Sequence, residues 1–181
     1  MHLKIENTIA LIIDIQSKLL PFIHENSSVI DSNIKLIKGL SALEIPIIVT
    51  EQYPKGLGAT DESIQSALGE HYKPIEKLTF SCWGCDEFVE KIKSYGKPNI
   101  IITGIETHIC VMQTVRDLLA NDFSPIIVSN CISSRNPIDK QEGIQRMLDE
   151  GAFIGTYESV LMELTVSSKH LKFKEISNII K

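Results

Sequence analysis

No stretch of the sequence approaches the roughly 20 consecutive apolar residues that a membrane-spanning helix needs. The first residues, Met1-His2-Leu3-Lys4-Ile5-Glu6, also lack the apolar core and small-residue cleavage site of a secretory signal. Neither a membrane protein nor an exported one is expected. Basic charge is short: 18 Lys and Arg stand against 23 Asp and Glu, for a net charge of −5. The basic residues are scattered, so the electrostatic footprint of a nucleic-acid binder is missing and the expected partner is a small molecule. Internal repeats, low-complexity tracts and linkers are absent, which predicts one domain over residues 1–181. Cysteines number only 4, at 82, 85, 110 and 131, in a chain that is 43% hydrophobic and can bury a core without disulfide staples. They read as reduced thiols in a cytoplasmic compartment.

What the chain does contain is a series of short, wholly apolar runs: Ile9 to Ile13, Pro46 to Val49, Ile100 to Ile102 and Pro125 to Val128. Runs without polar alternation suit strands covered on both faces. Segments of helical period lie between them. Ile30, Ile34, Ile37 and Leu40 form one stripe; Ile109, Met112, Val115 and Leu118 form another; Ile144, Met147 and Leu148 belong to a third. Asn136 and Pro137 mark the start of that third helix and Gly151 its stop, with a strand expected over Ala152 to Gly155. An amphipathic helix carrying Phe173, Ile176, Ile179 and Ile180 closes the chain. The alternation predicts a three-layer α/β/α sandwich around a mostly parallel sheet, with ligands bound beyond the carboxyl ends of the strands.

Candidates for chemistry are therefore the polar residues after each run: Asp14 and Gln16, Glu51 and Gln52, Glu106 to Cys110, and Ser129 to Cys131. If Thr107 caps the helix, Cys110 takes its third position, where free N–H groups and the helix dipole favour a thiolate nucleophile. A cysteine that merely packs is the competing reading. Asp14, ending an apolar strand, is either a cap or a base whose pKa burial raises. Lys77, flanked by Ile75 and Leu78, is either an ammonium that holds Asp14 or a surface lysine. Gln16, Gln52, Tyr53 and Trp83 are further pocket candidates. Arg135 suits an anionic substrate or an acidic side chain equally. The pair Cys82 and Cys85 in "CWGC" lacks the second ligand pair of a zinc site.

Three segments in order, "LIIDIQ", "EKLTFS" and "GIETHICV", together resemble the isochorismatase-like cysteine hydrolases. "VTEQYPKGLG" and "NCISSR" resemble the branch of isochorismatase domain-containing proteins, and the likeness runs from Thr8 to Ile180. The resemblance implies the Rossmann-like fold of that family and a catalytic triad of Asp14, Lys77 and Cys110. It also implies a cis peptide between Ile105 and Glu106 and an oxyanion hole made by the backbone N–H groups of Glu106 and Cys110. It implies hydrolysis of a small amide, carbamoyl or related C–N substrate through a thioester, in a homo-oligomer. The metal-binding histidines of nicotinamidases have no counterpart in "EQYPKGLGATDE", so no metal and no cofactor are expected. Leu19 stands where an aromatic pocket residue is frequent. A binding or scaffold protein that kept the fold and lost activity is the alternative.

Overall fold

The structure is a computed structural model describing residues 2–181. Six strands run along the chain: β1 (Thr8–Ile13), β2 (Ile47–Gln52), β3 (Ile75–Lys77), β4 (Asn99–Ile105), β5 (Ser124–Ser133) and β6 (Phe153–Gly155). They form one parallel sheet in the order β3-β2-β1-β4-β5-β6. The helices are α1 (Asn26–Ala42), the single turn α2 (Pro54–Leu57), α3 (Glu62–Leu68), α4 (Asp86–Ser94), α5 (Met112–Ala120), α6 (Pro137–Asp149), α7 (Tyr157–Thr165) and α8 (Phe173–Ile180).

The uninterrupted apolar runs have the use predicted for them. Every residue of β1 is buried, and its side chains alternate between two cores. Ala10 and Ile12 join α1, α3, α7 and α8 on one face, whereas Ile9, Leu11 and Ile13 join α4, α5 and α6 on the other. The result is the expected three-layer sandwich. Helix α6 also starts and stops as anticipated: the Asn136 side chain accepts from the Ile138 N–H, Pro137 opens the first turn, and Gly151 follows the helix at φ +107°.

Two strand ends depart from the sequence reading. β2 continues through Glu51 and Gln52, so these are strand residues rather than loop residues. β5 runs on to Ser133 with a register shift opposite Ile102 and Gly104, so Ser129, Asn130 and Cys131 lie in the shifted stretch instead of on the rim. The short edge strand β3, at three residues, has no apolar run to announce it.

Strand order reverses between β1 and β4: from there the chain proceeds outward to β2 and β3 on one side and to β5 and β6 on the other. In open parallel sheets this switch point opens a crevice beyond the carboxyl ends of the two strands. Asp14 follows β1 and Cys110 lies five residues beyond the end of β4, so the topology alone brings them to that crevice. Gly104 allows the close approach of the two strands just below it, since a Cβ there would lie 2.0 Å from the Ile13 carbonyl oxygen.

Candidate active site

Asp14 adopts a left-handed backbone conformation, φ 52°, immediately after β1. Such a conformation is uncommon for a residue with a Cβ and recurs where function over-determines the backbone. Its carboxylate is fully buried and each oxygen has its own partner: Lys77 Nζ donates to Oδ2 at 2.6 Å and the Thr50 hydroxyl donates to Oδ1 at 2.8 Å. A buried ion pair is sustained only if its remaining donors and acceptors are also satisfied. Lys77 meets that condition. Its ammonium also faces Gln52 Oε1 at 2.8 Å, the Phe80 carbonyl at 3.0 Å and the Thr79 carbonyl at 3.2 Å. Four acceptors around three hydrogens leave Lys77 no free donor for a ligand, so it acts on Asp14 and on charge nearby.

The third group approaches from β4. The Ile105–Glu106 peptide is cis, and the chain then enters a π-turn, Thr107–Val111, before α5. In a regular helix the Glu106 carbonyl would accept from the Cys110 N–H, four residues on. Here it accepts from Ile109 at 3.1 Å and Val111 at 3.2 Å, skipping Cys110. The wide turn thus diverts the helical partner of the Cys110 N–H, as π-bulges at functional sites often do. Thr107 does not cap the helix as expected. Glu106 is the flanking residue, no side chain caps this end, and the buried Thr107 hydroxyl has no hydrogen-bond partner. Cys110 is consequently the fourth helical residue, not the third.

Electrostatics correct the sequence reading again. Position in the sequence favours a thiolate at Cys110, but burial pushes its thiol well above the ordinary value and the Asp14 charge adds to that, with Lys77 only partly offsetting. Burial likewise raises the Asp14 carboxyl above the usual carboxylate range, against the pull of Lys77 and of hydrogen bonds from Lys77, Thr50 and Cys110. Burial, the largest single influence, disfavours the Lys77 ammonium, but the Asp14 charge, the neighbouring Cys82 and Cys110 sulfurs and the hydrogen bond to Asp14 together hold it above its ordinary value. Cys110 rests as a thiol beside a carboxylate of raised basicity. The residue as a whole is 7% exposed.

The remaining candidates separate. Gln52 belongs to the site through Lys77, while its Nε2 donates to the Leu78 carbonyl at 2.8 Å. Gln16 is a scaffold residue: its amide bridges the Gln52 and Gly58 carbonyls and accepts from the Gln52 N–H at 2.7 Å. Tyr53 is half exposed and borders a cavity of about 390 Å³ with Pro54, Lys55, Glu76, Lys77 and Leu78. Trp83 is engaged elsewhere. Its ring meets Phe123, the residue before β5, edge-on at 5.9 Å and lies 5.4 Å from Nζ of Lys93 on α4. Arg135 takes the acidic partner: its Nε and its backbone N–H both donate to Glu106 Oε2. Sequence reasoning missed Thr50, whose only signal is its place beside two polar strand residues at the end of an apolar run. Among the described residues, no group of three or more His, Cys, Asp or Glu side chains is placed to hold a metal.

With this geometry, comparison with known proteins is decisive. The family model described as the isochorismatase domain matches residues 8–159. The chain belongs to the isochorismatase family. Isochorismatase family protein 1B of Dictyostelium discoideum is 38% identical over 97% of this chain and 87% of its own length. A solved structure described as the MAR1 ribonuclease of Caenorhabditis elegans is 35% identical, covers 99% of this chain and 92% of that one, and superposes with a TM-score of 0.93. The YcaC gene product of Escherichia coli, described as an octameric hydrolase of unknown specificity, is 20% identical over 99% of this chain and 95% of its own, with a TM-score of 0.88. That last likeness speaks to the fold. The protein thus has the fold of the isochorismatase-family hydrolases.

Proposed function

We propose that the protein is a cysteine hydrolase acting on a small amide, carbamoyl or related C–N compound, with Asp14, Lys77 and Cys110 as its triad. The observation that carries this reading is the convergence of a buried, charge-paired carboxylate on a thiol whose own N–H has lost its helical partner. Asp14 takes the thiol proton as the sulfur attacks the carbonyl carbon, so the thiolate exists only as the bond forms. The backbone N–H groups of Glu106 and Cys110 hold the developing oxyanion. Protonated Asp14 then returns its proton to the leaving amine, and water releases the acyl group from sulfur. Raised basicity in Asp14 favours the first transfer, and Lys77 keeps the carboxylate charged enough to accept it.

The name of the Caenorhabditis elegans relative suggests a second reading, ribonuclease activity, since the likeness extends over nearly all of both chains. A net charge of −5 with scattered basic residues opposes it, because RNA affinity rests on clustered positive charge. Four free cysteines suit a reducing, cytoplasmic setting, and no described helix is long and apolar enough to cross a membrane. We take the functional unit to be a homo-oligomer, on the octameric description of the Escherichia coli protein. A panel of small amides, ureas and carbamoyl compounds, assayed for ammonia or amine release beside single-stranded RNA, tests both readings. Release from one of the panel, abolished by Cys110→Ala and accompanied by an acyl adduct on Cys110 in the intact mass, is the expected outcome. RNA cleavage that survives Cys110→Ala would overturn it.

A further inference from the structure

We infer that Thr50 is a positioning residue, whose hydroxyl fixes the rotation of the Asp14 carboxylate so that a free edge of it meets the Cys110 thiol. This inference rests on the cysteine-hydrolase reading and adds a fourth side chain to it, one drawn from β2.

A carboxylate held by a single ammonium can turn about its own axis, and half of those orientations point its free lone pairs away from the nucleophile. Here both oxygens are assigned: Oδ2 to Lys77 at 2.6 Å and Oδ1 to the Thr50 hydroxyl at 2.8 Å. Two partners on two oxygens define the plane of the group. Thr50 is itself fully buried, and the strand register brings it opposite Ile13, the residue just before Asp14. The Asp14 N–H in turn donates to the Thr50 carbonyl at 3.2 Å, so main chain and side chain are locked to one residue.

The direction of the hydroxyl follows from its neighbours. The Asp14 carboxylate only accepts, so Thr50 must donate to it and keeps its lone pairs for another donor. That donor is the thiol of Cys82, 3.8 Å from the Thr50 oxygen. Cys82 is fully buried and burial pushes its thiol up to about 12, which keeps its hydrogen in place at neutral pH. Its own backbone N–H is held by the Thr114 hydroxyl at 3.0 Å, one helical turn beyond Cys110. Cys82, Thr50 and Asp14 therefore form a one-way chain of donors. The titratable groups that face Asp14 across this cluster are Lys77, Cys110 and Cys82.

The test is the rate of Cys110 alkylation by iodoacetamide, followed by mass spectrometry from pH 5 to 9. This readout needs no substrate. In the wild type the rate should climb along a limb that reports Asp14 ionisation. Thr50→Val, nearly isosteric, should lower the plateau about tenfold or more, the scale of a lost hydrogen bond to a charged group. It should also move the limb upward by about one pH unit, since a carboxylate deprived of a donor binds its proton more tightly. Thr50→Ser should restore both. Cys82→Ala should shift the limb the same way by less. If Thr50→Val fails to fold, Thr50→Ala is read by the same profile. A Val variant with the wild-type rate and limb, or a Ser variant as impaired as Val, overturns the inference and leaves the hydrolase reading standing. A wild-type Cys110 with no such limb, and no faster than in the unfolded chain, takes both down.

Discussion

Cys110, beyond the end of β4, and Cys131, inside the neighbouring strand β5, are two buried cysteines whose thiols are pushed in the same direction. Burial raises both above the ordinary value. Cys131 stands in the core against α1, where the Asn33 amide donates to its carbonyl oxygen at 2.9 Å, and burial of its thiol is offset in part by the Lys140 ammonium rather than compounded by a carboxylate. Cys110 has Asp14 and Lys77 beside it. The difference teaches that desolvation does not by itself make a sulfur reactive or inert. Under the proposed mechanism the neighbouring carboxylate is what sets Cys110 apart, and the topology brings Asp14 there because strand order reverses between β1 and β4.

The largest effects should come from removing that difference. Asp14→Asn and Cys110→Ala should each lower hydrolysis by about 10²–10⁴ or more, the scale of general-base and nucleophile loss, whereas Cys131→Ala should leave kcat/KM within a few-fold. Lys77→Met would strand a buried carboxylate without its cation. We expect about 3–5 kcal/mol of lost stability in denaturant unfolding along with lost activity. Gly104→Ala should cost comparably, because the new Cβ would collide with the Ile13 carbonyl and the residue sits at φ +124°. At the sheet edge, Gly155→Ala should be milder, since its Cβ would meet only side-chain atoms, Ser159 Oγ at 3.0 Å and Val160 Cγ2 at 3.2 Å, and no backbone.

These contrasts also mark what the sequence could disclose. Both faces of β1 are buried, so its run from Ile9 to Ile13 is apolar throughout and legible. Lys77 ends a three-residue edge strand, too short for its buried-exposed-buried alternation to stand out in the sequence, so only resemblance points to its place beside Asp14. Cys131 reads from the sequence as a rim residue, yet its strand continues past the apolar run into a shifted register that the residue pattern does not mark. The π-turn at Thr107 has no sequence signature for a similar reason: hydrophobic spacing is the same for the helix that follows, while the displaced hydrogen bonds leave no mark in residue types. The sequence expects a thiolate at Cys110 where the fold holds a thiol, because the dipole of a helix end is readable from position and desolvation is not.

A smaller effect, on stability, follows from the buried thiols as a set. Cys82, Cys110 and Cys131 all hold their protons more tightly in the folded chain than the ordinary thiol value of 9.0. Above pH 9 the unfolded chain therefore binds fewer protons than the folded one, and stability falls as pH rises. Thermal unfolding at pH 8 and pH 10 should show the loss. It should shrink in Cys131→Ala, which removes one of the three groups, even though that variant starts about 1 kcal/mol less stable.

The most direct measurement is competitive alkylation of the four cysteines in the folded protein at neutral pH, wild type against Asp14→Asn, with the partly exposed Cys85 as internal reference. The account predicts that Cys110 outpaces Cys82 and Cys131 by at least about tenfold. It predicts further that this lead disappears in Asp14→Asn while Cys85 is unchanged. Equal rates at Cys110 and Cys131 in the wild type, or a lead at Cys110 that survives loss of the carboxylate, would contradict it.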